Sequence, residues 1–63
     1  MDEIDIWRSA NLMIGQYGEQ AGYEAGRRAG DLLKAGDSKG FEAWMKIAKA
    51  IEMMGSAKNN LIN

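Results

Sequence analysis

From Ala21 to Gly30 the chain offers almost nothing larger than a methyl group on one side of a helix, and any fold must fit another helix against that side. Ala21, Gly22, Ala25, Gly26, Ala29 and Gly30 recur at spacings of three and four, which places them on one contiguous smooth face. Gln20, Glu24, Arg27, Asp31 and Lys34 fall opposite. Glycine costs about 1 kcal/mol relative to alanine inside a helix, so Gly22, Gly26 and Gly30 together burden this one by about 3 kcal/mol. Close approach of a neighbouring helix is the compensation such a face permits, because interaxial distance is set by the side chains at the contact. The six residues are therefore expected to form the helix-packing face, with Gly26 buried in it. Rows of this kind also join helices in membranes, but Arg27, Arg28 and Asp31 argue against that setting.

The flanks of this stretch define two further helices. Asp2 or Glu3 opens the first, with acidic residues where the positive end of the helix dipole favours them. Ile6, Trp7, Ala10, Met13, Ile14 and Tyr17 gather on one arc of it, and Leu12 lies off that arc. Gly18 is placed to end this helix before Glu19 begins the next, so that the break at Gly18 separates two helices rather than bending one rod of over 30 residues. Ala35-Gly36-Asp37 is the clearest stop and start: Gly36 suits the position after a helix end, and Asp37 or Ser38 can cap the next helix. Phe41, Trp44, Met45, Ile47, Ala48, Ile51 and Met54 then spread over nearly half the circumference of a third helix, wide for one partner. Glu24 with Arg28 and Glu42 with Lys46 are spaced for supporting ion pairs.

The expectation is an all-α domain over residues 1–54, with three short helices at about 3–17, 19–35 and 38–54 and a frayed tail over 55–63. A chain of 63 residues buries only about 60% of its unfolded surface, and with neither Cys nor His it has no disulfide or zinc staple. Homodimerisation is the remaining support, through the third helix or the Leu12 side. Candidate interface residues are Leu12, Trp44, Ile47, Ile51 and Met54. Trp7 and Trp44 either fill the core or anchor an interface, where Trp is favoured.

Chemistry is harder to place. Without His and Cys the commonest general bases and the thiolate nucleophile are missing, and no carboxylate sits in an apolar setting that would perturb it. The chain is read as non-enzymatic, with no catalytic, cofactor-binding or metal residue. Gly36-Asp37-Ser38-Lys39-Gly40 lacks the spacing of a phosphate or EF-hand loop and reads as a turn. Eight basic against nine acidic residues give a net charge of −1, with no overall attraction to phosphate backbones or anionic lipid. The alternative of a small dimeric nucleic-acid-binding regulator would have to use Arg27, Arg28 and Lys34, and acidic residues interrupt that cluster. No basic leader and no span of about 20 apolar residues is visible, so a cytoplasmic location is expected.

Trp7-Arg8-Ser9-Ala10-Asn11-Leu12, Tyr17-Gly18-Glu19-Gln20-Ala21, Gly36-Asp37, Trp44 and Ala50-Ile51-Glu52 together make the chain resemble short uncharacterised helical proteins of alphaproteobacteria. That resemblance implies a helical fold and a bacterial setting and carries no activity. The Gly-Asp turn between a helix of small residues and one bearing Trp44 and Ala48 also resembles, more weakly, a single tetratricopeptide-like helix hairpin. Function is then expected to be that of a small protein–protein interaction module, acting as a regulator or inhibitor by occupying a partner's surface.

Overall fold

The structure, a computed structural model, describes the backbone of residues 2–62 and the side chains of residues 2–55. All of its regular structure is helical: α1 spans Glu3–Tyr17, a 3-10 turn Gly18–Gln20, α2 Ala21–Lys34 and α3 Ser38–Ile62, with no strand among the described residues. The expected three short, separated helices need correction. Helical residues run without interruption from Glu3 to Lys34, so the chain forms two helical arms, of which the first is broken in direction at Gly18.

That break has a backbone cause. Gly18 takes φ 58°, ψ −126°, a region L side chains rarely adopt, while its N–H still donates to the Ile14 carbonyl. The 3-10 turn absorbs Glu19 and Gln20, so α2 starts at Ala21 rather than Glu19. Asp2, not Glu3, is the residue before α1, and its carbonyl accepts from the Ile6 N–H at 3.1 Å.

The second turn is more fully determined. The Gly36 N–H donates to the Leu33 carbonyl at 3.1 Å and the Asp37 N–H to the Leu32 carbonyl at 2.8 Å, a complete Schellman closure, with Gly36 at φ 83°. Asp37 then caps α3, its Oδ1 accepting from the Gly40 N–H at 2.8 Å. One residue ends a helix and the next begins one.

α3 has 25 residues, about 37 Å of helix, and accounts for most of the 41 Å long dimension. It continues through residues 55–62, where the sequence suggested fraying; Gly55 alone costs about 1 kcal/mol, and neither proline nor a capping signal stops the helix there. Asn63 lies outside the described residues. α2 and α3 form an antiparallel hairpin with the largest shared contact, and α1 lies mainly against α3.

The core is thin and built from small residues: Ile6, Ala10 and Met13 of α1, Ala21 and Ala25 of α2, and Ile47, Ala50 and Ile51 of α3. Ile14, Tyr17, Trp44, Ala48 and Met54 pack around it, and among the described residues Ile47 is the one large side chain fully withdrawn from water. Trp7, 38% exposed, sits at the rim beside Met53, and Leu12 points outward at 62%. The expected packing face narrows accordingly. Ala21, Ala25 and Ala29 are buried, Gly22 and Gly30 are half-buried, and Gly26 is exposed. A Cβ built on Gly26 or Gly30 meets nothing within 4 Å, so Gly26 is not the buried centre of the face. The contact with α3 falls on the alanine row, which leaves the glycine row at its edge.

Candidate interaction surface

Which side of the hairpin α1 covers is set by two groups of contacts. Tyr17, at the end of α1, meets Arg28 of α2: the Arg28 Nη2 donates to the Tyr17 hydroxyl at 3.1 Å. The same guanidinium lies 5.9 Å from the Tyr17 ring centre and 5.1 Å from that of Trp44. Half-buried between two aromatic faces, it ties all three helices together, a cation–π arrangement worth about 1 kcal/mol. Further along, Ile6 and Trp7 of α1 border Ala50 and Met53 of α3. The flank of the hairpin that carries Arg28 and Ala50 is therefore covered.

The opposite flank is open. There Gly22 of α2 approaches Ile51 of α3, whose Cγ2 would lie 3.9 Å from a Cβ at 22, while a Cβ at Gly26 or Gly30 meets nothing within 4 Å. An open groove of about 1290 Å³ lies where this side meets the end of α1, lined by Asn11 and Ile14 of α1, Gly22 of α2, and Met45, Ala48, Ile51 and Met54 of α3. Glu19, Glu52, Lys46 and Lys49 form its rims. It is large for a small-molecule site and holds none of the convergent buried polar groups that orient a small ligand. No unsatisfied buried polar side-chain atom and no metal-suited cluster occur among the described residues.

The three helices place the sequence candidates differently from expectation. Ile47 and Ile51 belong to the core, and Trp44 and Met54 pack against it, so the face read as an interface is largely the face that closes on α1 and α2. Leu12 is exposed as expected and stands on α1 between Asn11 and Ile14, which line the groove, without lining it itself. Of the nucleic-acid candidates, Arg28 is held by Tyr17 and Trp44, and Arg27 by Glu24 through a 3.0 Å ion pair. That hydrogen bond, and then the charge of Glu24, push the Arg27 guanidinium above its ordinary pKa. Lys34 is exposed in the last turn of α2. The three do not form one free basic patch. Glu24 pairs with Arg27 rather than Arg28, and Glu42 with Lys46 forms no ion pair; Arg27–Glu24 is the only one among the described residues.

Two features escaped the sequence reading. Arg28 shares a row with Ala21, Ala25 and Leu32, at spacings of four, three and four, which is the signal that it faces inward. Ala50 is 4% exposed, yet its small side chain drew no attention beside Ile47 and Ile51.

No family model matches the chain, and comparison with curated proteins and with solved structures finds no match either. No helix among the described residues is long and apolar enough to cross a membrane.

Proposed function

We propose that this chain is a small non-enzymatic protein–protein interaction module that self-associates, working in the cytoplasm as a regulator or inhibitor by occupying a surface. The observation that carries the reading is the open flank of the hairpin. The glycine row burdens α2 by about 3 kcal/mol, and within one chain Gly26 and Gly30 admit no neighbour that a methyl group would obstruct. Met45, Leu33 and Tyr23 add large apolar surface, exposed at 46%, 54% and 71%. Exposed large apolar side chains are what protein interfaces draw on, and methionine adapts to a partner's shape.

Absolute mass by light scattering across a concentration series, with circular dichroism on the same samples, tests this. A helical dimer of about twice the 6.9 kDa chain mass is expected. A helical monomer at every concentration removes self-association from the reading.

A further inference from the structure

We infer that α1 is an exchangeable arm hinged at Gly18, which covers either the hairpin of its own chain or the hairpin of a second copy. The surface involved is the one α1 already covers and not the open flank, so self-association gains a route that does not depend on that flank.

The two turns of the chain are held differently. Gly36 and Asp37 are locked by a Schellman closure and a side-chain cap. Gly18, Glu19 and Gln20 are all exposed, and no side chain caps the 3-10 turn or the start of α2. Helical hydrogen bonding even crosses this bend: the Gly18 N–H donates to the Ile14 carbonyl, and the Ala21 N–H to the Gly18 carbonyl. What turns the chain is the backbone of Gly18 at φ 58°, ψ −126°. With helical torsions there, α1 would run into α2 as one rod from Glu3 to Lys34, about 48 Å long.

The inward residues are in phase for that rod. Ile6, Ala10, Met13 and Tyr17 of α1 follow at spacings of four, three and four; Ala21 is four further on, and Ala25 and Arg28 continue at four and three. At 100° per residue all of them stay within about a third of the circumference. Two helices that merely pack side by side need no common phase across the turn between them.

A straight rod takes α1 off its own hairpin. Tyr17 and Arg28 are 11 residues apart, about 16 Å along one helix, so their 3.1 Å hydrogen bond cannot then form within a chain. Opening also bares Ile6, Ala10 and Met13 on the arm and Ile47, Ala50 and Ile51 on α3. The α1 of a second copy fits the bared face because it restores the contacts that α1 makes in the closed chain. Each copy gives one arm and takes one, which closes the pair as a two-fold dimer.

A Cβ meets nothing within 4 Å at Gly18 or at Gly15. Alanine at 18 is therefore opposed by the torsion alone, whereas residue 15 is helical in both forms. Gly18→Ala should favour the rod by about tenfold per copy, so the dimer Kd from light scattering should fall by about a hundredfold. Gly15→Ala should leave it within about threefold of wild type. In a mixture of isotope-labelled and unlabelled Gly18→Ala chains, isotope-filtered NMR should place the Tyr17 ring of one molecule against Arg28 of another. A Gly18→Ala chain that stays a helical monomer overturns the exchange. So does a dimer whose Tyr17–Arg28 contact lies wholly within each chain, although self-association then stands. If Gly18→Ala loses its helical circular dichroism, the same contact in concentrated wild type decides: found between molecules it upholds the arm, and found only within a chain it overturns it. An exchanged Gly18→Ala dimer beside a wild type that is monomeric at every concentration upholds the hinge and removes self-association from the natural chain.

Discussion

Ala21, Ala25 and Ala29 repeat the spacing of Gly22, Gly26 and Gly30 one residue earlier, and the two rows have opposite fates. The alanines are at most 1% exposed and set how closely α2 lies on α3, whereas Gly26 is open to solvent. A helix buries one stripe against a single neighbour, and a rotation of 100° per residue carries the next row beyond the contact. Small residues at helical spacing therefore mark where a close approach is possible. They do not say which row a given neighbour uses, or how many neighbours there are.

The comparison extends to α3, where Ile47 faces inward beside the alanine row and Met45 lies outward beside the glycine row. Ile47→Ala should show the largest effect, a loss of about 2–5 kcal/mol. That is comparable with the total of about 3–9 kcal/mol expected for a chain of this length, so cooperative unfolding in urea should be lost or shifted close to zero denaturant. Met45→Ala, at fixed low protein concentration so that association does not contribute, should cost under about 1 kcal/mol. Equal losses would erase the distinction between the two sides.

A more direct contrast uses neighbouring residues of α2. Ala25→Leu forces a branched side chain into a site with no exposure and should cost about 1–3 kcal/mol or more through overpacking. Gly26→Leu meets open space and should leave the monomer unchanged or gain up to about 1 kcal/mol from helix propensity. Both are read from urea midpoints with circular dichroism. If Gly26→Leu were the more damaging in the monomer, the glycine row would be the packed one.

Much of the fold was legible, because its signals are local. Gly36 and Asp37 specify their turn through a positive φ and a capping carboxylate, and both are found as read. Gly18 breaks the helix direction as expected, though through a 3-10 turn rather than a gap. The assignment of faces was less legible, since it depends on tertiary rotation. Phe41 to Met54 is apolar over a wide arc, and only the position of α1 determines that Ile47, Ala50 and Ile51 close inward while Met45 does not. Arg28 carried an inward signal in its row, but a charge reads as solvent-facing until Tyr17 and Trp44 are seen on either side of it. Replacing it tests that role. Arg28→Lys keeps the charge but loses the planar group that lies between the rings, and should cost about 0.5–1 kcal/mol in the same urea assay.

The smallest effect concerns Gly40, a glycine that belongs to neither row. A Cβ there would lie 2.6 Å from Oδ2 of Asp37, the residue that caps α3 through the Gly40 N–H. Two terms oppose each other. Alanine gains up to about 1 kcal/mol over glycine in a helix, less in the first turn, while displacing the carboxylate gives up part of a cap worth about 1 kcal/mol. Asp37 is exposed and its carboxylate is the free end of a short side chain, so it can rotate away, although moving Oδ2 from 2.6 Å to an ordinary 3.4 Å contact takes a shift of 0.8 Å and weakens its hydrogen bond. Gly40→Ala should therefore change stability by less than about 0.5 kcal/mol. In an Asp37→Ala background, itself down by about 1 kcal/mol, the same substitution has nothing to displace and should recover most of the propensity gain. A double-mutant cycle should show a coupling of about 0.5 kcal/mol, and additive effects would mean that the cap and the Gly40 side-chain space are independent.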